Sequence, residues 1–237
     1  MPKDHPSSYV KEGFKKVSPD ETKRMAKILD RLRSEFKLWP SLGSPFSVLV
    51  WTVLSQNTSD RNAELAYNRL TSRFRNFKQL ARADLRTIQR LIRPAGLYKA
   101  KSKHLRELSR IVINKYGGDL KRVLKKPLEK AREELLKLPG IGYKTADCLL
   151  FFSAGRDVLP VDTHVARLAK RLGYAMPEDD REKVREKLMK AIPKGRRGEA
   201  HMLLIQHGRK YCRARKPLCA ECPINQLCPR LFLKPQA

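Results

Sequence analysis

Lys144, Asp162 and four cysteines near the C-terminus are the residues whose kind and spacing could do chemistry. Lys144 lies in Leu138-Pro139-Gly140-Ile141-Gly142-Tyr143-Lys144-Thr145-Ala146. The proline cannot continue a preceding helix, and two glycines around an aliphatic residue permit a tight turn with positive φ angles and close backbone approach. The N–H groups of that turn and of the following helix start would face an anion such as a phosphate. Lys144 falls in the first turn of that second helix, where the positive end of the helix dipole works against the ammonium form, and only a neutral amine attacks carbon. Asp162, in Pro160-Val161-Asp162-Thr163-His164, could take such a lysine's proton and stabilise positive charge growing on a sugar ring. The plainer readings are an ordinary helix–helix turn for the first motif and a helix cap for Asp162, and a cap and a catalytic role can coexist in one carboxylate.

Cys212, Cys219, Cys222 and Cys228 follow the pattern C-x6-C-x2-C-x5-C and leave only Cys148 apart. Four thiols so close together, with no secretion signal visible, argue for metal rather than disulfides. Zinc ligands more often come as two close pairs, whereas only Cys219 and Cys222 form one here; iron–sulfur is preferred and zinc stays open. Arg213, Arg215 and Lys216 fall inside the first loop of the pattern, where closure of the metal site would display them together for phosphate contact. Cys148, between apolar neighbours, reads as core.

The 237 residues hold 52 Lys and Arg against 24 Asp and Glu, a formal charge of +28 spread along the chain, and such a field favours a polyanionic partner. With 41% hydrophobic and 32% charged residues the chain is neither disordered in bulk nor a membrane protein. Its longest nearly continuous apolar stretch, Phe46 to Leu54, is too short to span a bilayer and reads as the middle of a buried helix. Residues 1–17 are polar and lysine-bearing, without a secretory pattern; they read as a loose basic arm on a protein of the cytoplasm or nucleoid, or of the nucleus or mitochondrion in a eukaryote.

The elements that must position these groups read as helices throughout. Ser18-Pro19 with Glu21 is a helix-start signature, followed at helical spacing by Met25, Ile28, Leu29, Leu32 and Phe36. Ser44-Pro45 starts a second helix, apolar nearly all round as at the centre of a bundle, and Asp60 opens a third. Further helices are expected near 83–92, 99–116 (stopped by Gly117-Gly118), 127–138, 143–153, 163–172, 177–191 and 198–211. No strand alternation of useful length appears, so the fold class is all-α.

Leu138 to Ala146 together with Val161-Asp162-Thr163-His164 resemble the hairpin and catalytic aspartate of the helix-hairpin-helix DNA glycosylase superfamily, and the cysteine spacing resembles that of its endonuclease III family and of the related adenine mismatch glycosylases. The resemblance covers roughly Phe36 to Pro229. It implies a [4Fe-4S] cluster on the four cysteines, and catalytic roles for Lys144 and Asp162. Lysine at the position of Lys144 implies a bifunctional enzyme that forms a Schiff base with the sugar and then cuts the strand by β-elimination. The hairpin residues Gly140, Ile141, Gly142 and Thr145 would bind DNA. Gln56 or Asn57, in Leu54 to Asp60, resembles the gap-filling position, although this segment departs from the family pattern by one residue; Leu97, in Gly96-Leu97-Tyr98, resembles the leucine that wedges into the duplex.

Two helical domains flanking a DNA cleft follow from the resemblance: a six-helix barrel with the hairpin over residues 38–157, and an iron–sulfur domain made of 18–37 and 158–237, with Lys144 and Asp162 on opposite sides of the boundary. The implied function is a monomeric DNA glycosylase and AP lyase of base excision repair, acting on oxidised pyrimidines in double-stranded DNA and on abasic sites. Two rivals stand beside it. Lys144-Thr145-Ala146-Asp147-Cys148 also resembles the lysine helix of 8-oxoguanine glycosylases, and the same scaffold serves mismatch enzymes. From another class, a non-catalytic hairpin module would clamp phosphate without reacting.

Overall fold

A computed structural model of the protein describes residues 18–40 and 43–233; the basic arm expected over 1–17 lies outside them. Among the described residues every regular element is helical, and no helix is long and apolar enough to cross a membrane. The chain forms two compact units. One is Trp39–Pro160, and the other joins the first helix, up to Leu38, to the chain from Val161 onward.

In the Trp39–Pro160 unit the order is α2 (Pro45–Leu54), α3 (Asp60–Arg73), α4 (Phe77–Arg82), α5 (Leu85–Ile92), a 3-10 turn at Arg93–Ala95, α6 (Tyr98–Tyr116), α7 (Lys121–Leu124), α8 (Leu128–Leu136) and α9 (Tyr143–Ala154). Short polar side chains start several of these helices: Ser44, Ser59, Asn76 and Asp84 each accept a backbone N–H from the first turn, a contact worth about 1 kcal/mol. Gly117, at φ +63, ends α6 in the left-handed conformation that a glycine adopts without penalty. The core gathers around α2, where Val48, Leu49, Val50, Val53 and Leu54 are all buried, and Leu70, Ile88, Leu105, Leu108, Leu135, Leu149 and Val158 close over it. Truncating a leucine in such a core costs about 2–5 kcal/mol.

The second unit contains α1 (Pro19–Glu35), α10 (Thr163–Arg171), α11 (Arg181–Ala191) and α12 (Arg197–Lys210), followed by the cysteine segment. Ser18 and Glu21 form the expected reciprocal cap, Ser18 N–H donating to Glu21 Oε2 at 2.9 Å and Glu21 N–H to Ser18 Oγ at 3.2 Å. Met25, Ile28, Leu29 and Leu32 bury the inner face of α1. Arg24 reaches from that helix to the carbonyl oxygens of Leu172 and Leu227 while its guanidinium lies 4.5 Å from the centre of the Tyr174 ring.

The structure adds two helices and corrects the start of a third. Helices α4 and α7 were not foreseen, because six and four residues are too short to show a 3.6-residue period. The helix expected from residue 177 starts at Arg181: Asp180 caps it, and Asp179 turns back to accept Met176 N–H at 2.7 Å, holding the preceding residues in a turn.

Candidate functional site

The hairpin of the Trp39–Pro160 unit is set by packing. Leu138 and Ile141 are buried, and Ile141 N–H donates to Leu138 O at 3.1 Å, so the turn is pinned to the core by its aliphatic residue. Gly140 has φ +72, and a Cβ there would fall 2.1 Å from His104 Cε1 of α6, so both conformation and space demand glycine. Gly142 differs. Its φ is −93, ordinary extended backbone, and a Cβ would meet nothing within 4 Å. Only one of the two expected positive-φ glycines is therefore left-handed.

Gly142 is the N-cap of α9 and offers no side-chain cap, which leaves the first N–H groups of that helix to an outside acceptor. Gly140 and Gly142 are exposed, whereas the side chains of Ile141 and Thr145 are buried; what these two can offer DNA is main chain rather than side chain. Lys144, half-buried, follows in the first turn. One turn on, Asp147 is fully buried and accepts from Arg132 Nε of α8 at 3.0 Å, while Arg132 also donates to Glu129 at 2.6 Å. Burial works against the Arg132 charge, but the two carboxylates hold its guanidinium above the ordinary arginine value. This ion pair fastens α9 to α8 behind Lys144. Sequence reasoning missed it, since one arginine and one aspartate fifteen residues apart carry no pattern. Cys148 is core, as expected.

Gln56 and Asn57 are exposed in the turn after α2, with Asn57 at φ +51. Leu97 is 62% exposed and sits at φ +47, a left-handed conformation unusual for leucine. Leu97 thus stands in solvent rather than packed against the loop, on a backbone that its surroundings must hold.

In the second unit Asp162 is the N-cap of α10, its Oδ1 accepting Val165 N–H at 2.8 Å. The same helix grips the cysteine segment. Arg167 donates to Cys212 O and Gly208 O, each at 3.0 Å, and to His164 Nδ1 at 3.0 Å; a guanidinium only donates, so that ring nitrogen accepts. Arg171 donates to Arg213 O at 2.7 Å, Ala214 O at 3.1 Å and Cys212 Sγ at 3.2 Å. Gly208 lets α12 come this close to α10, since a Cβ there would stand 3.0 Å from His164 Cβ and Leu168 Cδ1. These two arginines were also missed, because they lie at ordinary helix positions.

Cys212, Cys219, Cys222 and Cys228 line one cavity, walled by Leu168, Leu172, Leu218 and Ile224. Burial pushes the Cys222 thiol up to about 11 and raises Cys228 as well. Four thiols around a shared, mostly apolar cavity are a donor set that fits an iron–sulfur cluster. Arg213, Arg215 and Lys216 are all exposed on the loop between the first two ligands, with Lys216 at φ +49.

Comparison with known proteins agrees with this reading of the parts. Residues 50–194 match the HhH-GPD superfamily of base excision DNA repair proteins, and residues 212–228 match the iron–sulfur binding domain of endonuclease III. Endonuclease III of Thermotoga maritima is 39% identical over 184 residues, covering 78% of this chain and 82% of the relative. A non-covalent endonuclease III–DNA complex superposes with a TM-score of 0.76 at 32% identity, covering 88% of this chain and 95% of that one. A trapped covalent endonuclease III–DNA intermediate gives 0.77 at 32% identity, covering 88% and 96%.

Proposed function

Because this chain belongs to the HhH-GPD superfamily of base excision DNA repair proteins, and within it to the endonuclease III family, we propose that it excises oxidised or ring-saturated pyrimidines from duplex DNA and then cuts the strand at the abasic site. It is a DNA glycosylase with an iron–sulfur cluster as cofactor and damaged double-stranded DNA as partner. Acting on chromosomal DNA, it would work in the cytoplasm or nucleoid, or in the nucleus or mitochondrion of a eukaryotic cell. We assign the DNA-handling barrel to about 38–157 and the cluster domain to 18–37 and 158–237.

In this mechanism the Lys144 amine attacks the anomeric carbon of the target deoxyribose, and the bond to the base breaks with its electron pair leaving on the base. Asp162 takes the proton that the lysine must shed and opposes the positive charge growing on the sugar. The ring opens to a Schiff base on Lys144, a proton leaves the adjacent sugar carbon, and the 3′ phosphate departs; water then hydrolyses the imine and restores the amine. The hairpin main chain around Gly140 to Lys144 holds a phosphate beside the reacting nucleotide. Leu97 enters the duplex as a wedge and the Gln56–Asn57 turn occupies the space the nucleotide leaves. Cys212, Cys219, Cys222 and Cys228 would hold the cluster, which would cross-link their loop, and Arg213, Arg215 and Lys216 would then contact phosphates.

The observation that carries the reading is Lys144 in the first turn of an uncapped helix, directly behind a hairpin whose Gly140 admits no side chain. Borohydride should trap a covalent complex with abasic DNA, and Lys144→Gln should abolish it. Trapping that survives in the variant overturns the nucleophile assignment, and a wild type that never traps favours the non-catalytic clamp. The 8-oxoguanine alternative rests on the stretch Lys144-Thr145-Ala146-Asp147-Cys148, of which Asp147 and Cys148 are buried inside the unit, Asp147 against Arg132. Single-turnover excision across oxidised pyrimidines, 8-oxoguanine, mismatched uracil and abasic sites at fixed salt separates the substrates.

A further inference from the structure

Lys101, on the first turns of α6, is 6% exposed, an uncommon place for a lysine. Its ammonium donates to three main-chain oxygens: Leu54 O at 2.9 Å, Gln56 O at 2.6 Å and Ala95 O at 2.9 Å. An ammonium has three N–H donors, so each is used. The acceptors come from two separate segments. Leu54 ends α2 and Gln56 lies in the turn beyond it, while Ala95 closes the 3-10 turn just before Leu97. The main-chain N–H of Lys101 also donates to Leu97 O at 2.9 Å, the first intrahelical bond of α6, so the residue holds this loop at Ala95 and at Leu97 itself.

Burial works against the lysine's charge, but Leu54 and Ala95 are themselves buried, so its ammonium serves carbonyls of two segments that solvent reaches poorly. What the lysine adds is a fixed relation between them. Each segment carries an exposed residue in the left-handed region, Asn57 at φ +51 and Leu97 at φ +47, a state that persists only where the surroundings impose it.

We propose that Lys101 is a positioning residue for nucleotide extrusion: by tying the Gln56–Asn57 turn to the Leu97 loop through Leu54 O, Gln56 O and Ala95 O, it sets the spacing at which filler and wedge enter the duplex together. The proposal rests on the reading of Leu97 and the Gln56–Asn57 turn as the elements that enter DNA. It concerns prying the stack apart, which a paired lesion requires and a baseless site requires far less.

The test compares two single-turnover rates on duplexes of one sequence, excision of dihydrothymine paired with adenine and strand cleavage at a preformed abasic site. Lys101→Met should slow excision about tenfold or more while leaving abasic cleavage within about threefold of wild type. 2-Aminopurine beside the lesion should lose its unstacking signal in the variant. Lys101→Gln, which keeps two donors, takes its place if the Met variant does not fold, and Lys101→Arg should restore part of the paired-lesion rate. Equal losses in both reactions would reduce Lys101 to a structural role, and unchanged excision would remove its role altogether; either overturns the proposal. Leu97→Ala separates the levels. If it slows excision and Lys101→Met does not, the positioning claim alone fails; if Leu97→Ala leaves excision untouched, the wedge reading beneath it fails as well.

Discussion

The hairpin around Gly140 and the loop of Arg213, Arg215 and Lys216 both offer positive or N–H-rich surface to a phosphate backbone, yet they are built by different physics. The hairpin is made by packing: Leu138 and Ile141 are buried, and the His104 ring fills the space where a Gly140 side chain would sit. The cysteine loop has little regular structure of its own. It is strung from main-chain oxygens gripped by Arg167 and Arg171 and from four thiols around a cavity. The first surface is preformed by the chain, and the second would draw part of its rigidity from a cofactor. A protein that must bind many DNA sequences and react at one sugar gains from having Lys144, the nucleophile we propose, on the former.

The sharpest way to break that contrast is to remove a ligand. Cys222→Ser should lose the visible absorption of the cluster altogether, keep most of its helical circular dichroism, and bind duplex DNA about tenfold more weakly at moderate salt. Retained affinity without the cluster would mean the loop is preformed after all. Next in size is Arg132→Met, which removes the guanidinium paired with the buried Asp147 carboxylate in the unit that carries the hairpin; denaturant unfolding should show a loss of about 3–5 kcal/mol. A small loss would show that the ion pair does not fasten α9.

Within the hairpin itself the two glycines should behave unequally. Gly140→Ala combines a left-handed backbone with a collision at His104 and should cost about 1–3 kcal/mol and most of the DNA affinity. Gly142→Ala has room and an ordinary φ, so stability should change by less than about 0.5 kcal/mol. Equal effects would contradict the packing account.

The Leu138 to Ala146 motif was legible because its chemistry is local, a proline, glycines and a lysine in one turn, and the cysteine pattern was legible for the same reason. Helix starts at Ser18, Ser44 and Asp60 could be read from caps and prolines. What escaped was every long-range partner. Nothing in the chain between Arg132 and Asp147, or between Lys101 and Leu54, announces that they meet, because such pairs exist only once helices have packed. The unequal roles of Gly140 and Gly142 were hidden for the same reason: the difference lies in His104, 36 positions upstream of Gly140.

The smallest expected effect concerns pH in the cluster-bearing unit. Burial alone would raise the Asp179 carboxyl, but Lys187 and Met176 N–H outweigh it and hold the group below the ordinary aspartate value of 3.8. A depressed carboxylate stabilises the fold above the unfolded value and loses that contribution as pH falls through the folded one. Asp179→Asn should therefore lower the melting temperature slightly at neutral pH and have less effect the further the pH drops below 3.8. A deficit that grows on acidification would reverse the sign.

The central claim is that the amine behind the hairpin is the one that bonds to DNA. Reduction of the wild-type complex with abasic DNA, nuclease trimming, proteolysis and peptide mass mapping would locate the adduct directly. We predict a single sugar-derived mass on the peptide that contains Lys144, with cleavage after that lysine blocked. The same mass on a peptide carrying Lys99, Lys101 or Lys103, with Lys144 unmodified, would contradict the account.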